Sequence, residues 1–329
     1  MTVKQRPLGQ SGLQVSEIGL GCWQLGGDWG PISQHEADAI LHAANRSGVT
    51  FWDTADVYGG GQSETFIGDF MTAHPNPQRV VATKAGRSAQ LYPDQYRREA
   101  LRTSAEQSRD RLQVDRLDLL QLHCIPFEEM KRGEVFDWLE EMKSDGLIAH
   151  YGASVETVEE ALYCLDQTQV ASLQIIFNVL RQDMADAVLP AAESKGVGII
   201  VRLGLASGLL SGRMTKDQTF TAQDHRHYNK DGAAFHVGET FSGLPFELGV
   251  DLADQLKQQY ATQMSLADLS LRWLLDHTAV SSIITGASKA EQIQRNAEVS
   301  ALPPLSKTMH EELSAFYRQN VRQHIRGTL

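Results

Sequence analysis

Eight short runs rich in β-branched residues or leucine, each followed by a longer amphipathic stretch, alternate along the 329 residues. The runs lie near 17–22 (EIGLGC), 49–53 (VTFWD), 79–84 (RVVATK), 117–123 (LDLLQLH), 147–153 (LIAHYGA), 172–177 (SLQIIF), 197–203 (VGIIVRL) and 281–285 (SSIIT). The helix-like stretches fall near 34–47, 62–74, 93–113, 132–145, 156–167, 184–195, 248–276 in two pieces, and 289–299. Apolar runs of strand length alternating with helical periodicity specify parallel β/α units. Eight of them in one chain predict a single closed (β/α)8 barrel, a TIM barrel, over residues 1–329. An open doubly wound sheet lacks support, because GLGCWQLGG after the first run does not have GxGxxG spacing. Residues 5–15 read as a hairpin ahead of the barrel, 205–246 as a long polar loop after strand seven, and 306 onward as an extra C-terminal helix. Ser33 to Glu36 and Ser288 to Glu291 read as capping boxes. Gly59 to Gly61 read as plain loop flexibility.

The composition narrows the function classes. Hydrophobic residues make up 42% and charged residues 22%, which is globular and not disordered. Lysine and arginine total 30 against 41 acidic residues, a formal charge of -11 that opposes general nucleic-acid or anionic-membrane binding. No apolar run has the length of a membrane span, and MTVKQRPLGQSG lacks a signal-peptide core. Cys22, Cys124 and Cys164 form no CxxC pair. The expectation is a cytoplasmic protein with reduced thiols. Nothing in the sequence fixes its oligomeric state.

In a barrel of this kind chemistry is placed at the carboxyl ends of the strands. Strand two ends at Asp53, with Tyr58 in the loop beyond; strand three ends at Lys84 and strand four at His123. Neighbouring strands are about 4.8 Å apart, so these groups converge. Together they suit carbonyl reduction. Hydride added to a carbonyl carbon leaves negative charge on oxygen, and tyrosine is the acid that supplies the proton. A neighbouring lysine is expected to lower its pKa, and an aspartate to keep that lysine charged. A histidine orients the carbonyl oxygen.

The same residues resemble the aldo-keto reductases. FWDTADVYGGGQSE is similar to their Asp-x-Ala-x-x-Tyr-Gly motif, VVATKAG to their lysine strand and DLLQLH to their histidine strand. LIAHYGAS, LQIIFN, LASGLLSG and ITGASKAEQIQRN resemble further segments in the same order, and the match spans about residues 6–300. The resemblance implies Tyr58 as proton donor, Lys84 and Asp53 as its tuning pair, and His123 as the orienting group. It also implies a nicotinamide cofactor held by Gly21, Cys22, Trp23, Ser154, Gln174, Arg202, Gly208, Leu209, Gly212, Gly286, Ser288, Lys289, Gln292, Arg295 and Asn296. Positive charge at the helix opening near Ser288 favours NADP(H), with NAD(H) left open. Trp23 and Trp29, with Tyr58 and His123, are expected to line the site for a small carbonyl substrate; Tyr92 and Phe127 are further wall candidates.

Several positions depart from the family pattern. Val155 and Phe177 stand where an asparagine and a tyrosine are common. Arg202 replaces a stacking aromatic, and Gln292 replaces an arginine used on the 2′-phosphate. These departures suggest a bacterial-type branch. His225 and His227 have HxH spacing, but lie in the polar loop, and no metal site is expected. Cys124 is read as packing and the RQHIRG tail at 322–327 as a solvated helix end. Two alternatives fit the same residues: a nucleotide-binding regulatory subunit with little turnover, and a lyase using Lys84 as a Schiff base.

Overall fold

The computed structural model describes residues 3–27 and 30–329. A short hairpin, β1 (Gln5–Pro7) and β2 (Gln14–Ser16), precedes eight parallel strands. These are β3 (Ile18–Gly21), β4 (Phe51–Asp53), β5 (Val80–Ala85), β6 (Leu117–His123), β7 (Ile148–Ser154), β8 (Ser172–Ile176), β9 (Gly198–Arg202) and β10 (Val280–Gly286). Each pairs with the next, and β10 pairs with β3, so the barrel closes. The expected fold class, hairpin included, is the observed one.

Alternation along the strands sorts the side chains into two layers. Trp52, Val81, Ala85, Leu120 and Leu122 face outward into the core beneath the helices. Phe51, Val80, Ala82, Leu119 and Ile200 face inward and pack with Leu8 and Val15 of the hairpin. The hairpin therefore plugs the end of the barrel away from the strand carboxyl ends. Arg6 fastens it through Glu17 at 2.7 Å and the carbonyls of Leu275 and Val280 at 2.7 and 2.9 Å. Further along the same inward faces stand Asp53, Lys84, Gln121, His123, Ser154, Gln174 and Arg202. The interior thus changes from apolar to polar toward the strand ends.

The helices form where one face can be buried. In α1 (Gln34–Arg46) Ala37, Ile40, Leu41 and Ala44 are buried, and the Ser33–Glu36 capping box is present. The stretch read as 132–145 is α5 (Glu134–Ser144), and a short α4 (Phe127–Arg132) precedes it, separated by Gly133 at φ 82°. The stretch read as 93–113 is helical only over α3 (Arg98–Leu112). The remaining helices are α6 (Val158–Gln167), α7 (Met184–Lys195), α8 (His225–Tyr228), α9 (Phe246–Gln259), α10 (Leu266–Leu275), α11 (Ala290–Glu298) and α12 (Lys307–Phe316). The last is the extra C-terminal helix, and it continues as a wider π-helical turn (Tyr317–Val321) and a tighter 3-10 turn to His324. The tail beyond is not simply solvated: Arg326 donates to Asp231 and to the carbonyls of Lys230, Gly243 and Leu244. It ties the chain end to the 205–246 loop. Among the described residues no helix is long and apolar enough to cross a membrane.

Candidate active site

A cleft of about 750 Å³ opens at the carboxyl ends of the strands. Asp53, Tyr58 and His123 line it, with Lys84 directly behind Tyr58. Lys84 is only 1% exposed, and its Nζ donates to Asp53 Oδ2 at 2.6 Å, the Thr54 carbonyl at 2.8 Å and the Tyr58 hydroxyl at 3.2 Å. Asp53 Oδ1 also accepts from Gln121 at 3.2 Å and Gln174 at 2.7 Å. Three donors from three strands therefore fix the carboxylate. The His123 ring meets the Tyr58 ring edge-on, with centroids 5.8 Å apart.

The turn that presents Tyr58 needs its glycines, contrary to the reading of Gly59 to Gly61 as mere flexibility. Gly59, Gly60 and Gly61 all take left-handed φ, at 60°, 61° and 97°. A Cβ at Gly59 would collide with the backbone of Gly26. Only glycine lets the chain turn sharply enough to return Tyr58 to the mouth.

Burial would lower the pKa of Lys84, but Asp53 outweighs it and holds the ammonium above its usual range. This opposes a Schiff-base lysine. Burial pushes the Tyr58 phenol up to about 12, with Lys84 pulling the other way. Lys84 does act to lower this pKa, as expected, but desolvation is the larger effect and the net shift is upward. Tyr58 is therefore fully protonated at neutral pH, the form a proton donor requires. Its oxygen accepts from Lys84, so its own O–H is free to donate into the cleft. Burial, then Arg87 and Lys84, push His123 well below the usual range, so the imidazole is neutral. Its buried Nδ1 has no hydrogen-bond partner among the described residues.

The model of the Aldo/keto reductase family matches residues 17–318. The chain belongs to this family. It is 30% identical over 302 residues to aldo-keto reductase YhdN of Bacillus subtilis (strain 168), covering 89% of this chain and 87% of that one. It is 27% identical over 313 residues to the NADH-specific methylglyoxal reductase of Escherichia coli (strain K12), covering 89% and 92%. The holo form of an aldo-keto reductase from Bacillus halodurans superposes with TM-score 0.77 at 25% identity, covering 95% and 96%. The neighbours support the bacterial-type branch expected of this aldo-keto reductase.

The cleft also collects most of the residues expected at the cofactor. Gly21, Cys22, Trp23, Ser154, Gln174, Arg202, Gly208, Gly286, Ser288 and Gln292 line it. Leu209 is fully buried beneath the turn that holds Gly208, and Gly212 ends that turn. Asn296 is buried, while Lys289 and Arg295 are exposed on α11. The helix opening differs from expectation. Lys289 is its cap, and Gln292, not Glu291, reaches back. The Gln292 carboxamide oxygen accepts from the Ser288 N–H at 2.7 Å and the Lys289 N–H at 3.1 Å.

Of the expected wall, Trp23 and Tyr92 line the cleft, and Trp23 lies against Tyr58 with centroids 5.9 Å apart. Phe127 instead opens α4 and packs edge-on against Tyr163. Trp29 lies outside the described residues. Val155 is buried, and Phe177 packs against Trp273. The HxH pair is split: His225 is buried against Trp23 and hydrogen-bonded to Thr240 Oγ1, while His227 is exposed. The Cys124 thiol is buried, which pushes its pKa up to about 11 and leaves it inert.

Sequence reasoning did not assign Arg87, Arg213, Arg226 or Glu239 to the cleft that they line. Arg87 lies just beyond β5, and Glu239 reaches in from the long loop. Arg87 Nη2 donates to Glu239 at 2.9 Å and to Glu156 at 2.7 Å. Arg202, read as a stacking substitute, pairs with Glu239 at 3.3 Å and donates to the Val155 carbonyl at 3.2 Å. The available signal was Arg202, a charge ending an otherwise apolar strand, since a buried charge demands a partner.

Proposed function

We propose that this aldo-keto reductase is an NADP(H)-dependent reductase of an aldehyde, ketone or sugar carbonyl. The observation that carries the reading is the Tyr58 hydroxyl accepting from Lys84 at 3.2 Å while Lys84 is locked to Asp53 at 2.6 Å, all at the floor of one cleft. The unpartnered Nδ1 of buried His123 and the small residues Gly21, Gly208 and Gly286 along the cleft fit a bound dinucleotide. When bound, the nicotinamide supplies hydride to the carbonyl carbon.

Every other part belongs to the chain. Tyr58 donates its O–H to the carbonyl oxygen, and neutral His123 fixes that oxygen's direction. As charge develops there, Tyr58 gives up its proton. The Lys84 ammonium already on the phenol oxygen stabilises the phenolate, and Asp53 keeps the ammonium in place. Lys289 and Arg295 offer positive charge beside the α11 N-terminus for a 2′-phosphate. Gln292 must swing off the Ser288 and Lys289 N–H groups to admit it. The reading places the enzyme in the cytoplasm, as one barrel domain acting on a small molecule and not on nucleic acid.

Tyr58→Phe tests the assignment. Reduction across a carbonyl panel should fall by about 10²-fold or more, the usual worth of a positioned acid. Nucleotide affinity, read by fluorescence titration with NADPH and NADH, should persist. Unchanged turnover defeats the role of Tyr58, and tighter binding of NADH defeats the cofactor choice.

A further inference from the structure

We propose that the cleft holds one positive charge more than its own carboxylates balance, and that this charge selects carbonyl substrates carrying a carboxylate. The inference rests on the reductase reading and names a substrate class for it. It comes from the group of Arg87, Arg202, Glu156 and Glu239, which the catalytic steps do not use.

The charge count follows from geometry. Arg87 and Arg202 both line the cleft, and their side chains are only 16% and 11% exposed. Arg87 bridges Glu156 and Glu239 at 2.7 and 2.9 Å, and Arg202 lies 3.3 Å from Glu239. An oxygen of Glu156, one of Glu239 and the Cys124 sulfur lie within 4.8 Å of one another. Two carboxyl groups this close do not both ionise in a buried setting. Glu156 is the one that keeps its proton: burial, then its hydrogen bond to Glu239, push it up to about 9. Burial opposes ionisation of Glu239 as well, but Arg87 and Arg202 outweigh it and hold Glu239 well below the usual range. Two guanidinium groups thus face one carboxylate. Lys84 and Asp53 cancel, as do Arg226 and Asp224 at 2.5 Å. Arg213, also on the cleft, is exposed to solvent just beyond the Gly208–Gly212 turn, where water screens it.

The same grouping of Cys124, Glu156 and Glu239 has the spacing of a cation site, but both carboxyl groups are already engaged by guanidinium. An anion is the ligand this electrostatics favours. Arg202 has donor capacity to spare, since its buried Nε–H finds no acceptor among the described residues. The group also adjoins the reacting centre. Arg87, Glu239 and Arg202 all act on His123, and Cys124 follows His123 in the chain. Phe235 covers Arg87 with its ring centroid 5.7 Å away, which excludes water from one side. A substrate carboxylate a few bonds from the carbonyl would meet this charge while the carbonyl oxygen meets Tyr58. A charge pair at about 6 Å in a partly buried site is worth on the order of 10- to 100-fold in affinity.

The test compares succinic semialdehyde with its methyl ester, which has the same aldehyde and no charge. The acid should have the higher kcat/KM by 10-fold or more, with the difference in KM. Arg87→Gln removes the spare charge and should bring the ratio near one; Arg87→Lys should keep it. Glu156→Gln with Glu239→Gln leaves the two guanidinium groups facing no carboxylate and should raise it. Thermal melts identify any variant that fails to fold, and the opposite signs expected for Arg87→Gln and for the double glutamate variant keep the test decisive. An ester reduced as well as the acid overturns the inference and leaves the reductase reading standing. Should no carbonyl be reduced, the reductase reading fails, and binding of succinate against succinamide, read by tryptophan fluorescence, tests the charge alone. Succinate binding no tighter than succinamide overturns the inference.

Discussion

Asp53→Asn keeps the shape of the side chain and removes the charge on which Lys84 depends. Lys84 is 1% exposed, and its remaining partners are the neutral Thr54 carbonyl and Tyr58 hydroxyl. Removing one partner of a buried pair costs about 3–5 kcal/mol. An independent ceiling comes from proton loss, since the variant can shed the lysine proton instead of burying the charge alone. From an ordinary lysine pKa of about 10.4, neutralisation costs about 4.6 kcal/mol at pH 7 and about 1.9 kcal/mol at pH 9. The destabilisation should therefore be about 3–5 kcal/mol at pH 7 and shrink to about 2 kcal/mol at pH 9. The sign follows from linkage. In the native protein the folded-state pKa of Lys84 is raised, so its stabilisation is complete below the unfolded value and declines as pH rises through the folded one. In the variant the folded value drops below the unfolded one, so the deficit closes as pH rises from neutrality. Urea unfolding of both proteins at pH 7 and pH 9 measures this difference. A deficit equal at the two pH values, or one below about 1 kcal/mol at pH 7, refutes the reasoning.

Gly59→Ala forces a left-handed Cβ against the Gly26 backbone at a cost of about 1–2 kcal/mol, and the shift of Tyr58 should lower kcat by about 10-fold or more. Normal kcat in the folded variant would show that the turn does not aim Tyr58. Lys289→Met with Arg295→Met should weaken NADPH binding by about 10- to 100-fold, the range of hydrogen bonds to charged groups, with little effect on NADH. Equal loss of both nucleotides would remove these side chains from the 2′-phosphate. Arg326→Met deletes the hydrogen bonds to Asp231, Lys230, Gly243 and Leu244, so tryptic cleavage after Lys230 should accelerate several-fold with little change in melting temperature. An unchanged cleavage rate would show that the loop is held elsewhere.

The polar strand ends that gather at the cleft were legible for a simple reason. In a parallel strand inside a barrel the inward face repeats every second residue, and the polar inward residues come last. Val80, Ala82 and Lys84 on β5 follow this rule, as do Leu119, Gln121 and His123 on β6. A reader of the sequence needs only the run and its final polar residue. What could not be read were contacts that depend on where distant segments meet. Glu239 and Arg87 are 152 positions apart, and nothing local in GETFSG marks its glutamate as a cleft residue. The reach of Gln292 back to Ser288 and Lys289 is likewise hidden, because it depends on where α11 starts, and the N-cap falls one residue later than the Ser288 pattern suggests.

The two kinds of contact have different physical work to do. The Lys84–Asp53 pair is drawn from adjacent strands, β4 and β5, whose register the barrel already fixes. Its geometry is paid for by the fold, and it is closed and neutral, as a group that must hold a phenolate in one place has to be. The Arg87, Arg202, Glu156 and Glu239 group joins three strand-end segments to a long loop that no sheet register positions. Such a loop is held only by what it touches, and Glu239 supplies its ionic attachment to Arg87 and Arg202. A loop fastened by the same charges that face the substrate cannot be altered without altering what the cleft attracts. Substitutions between residues 230 and 244 should therefore move substrate preference through KM before they move the chemical step at Tyr58.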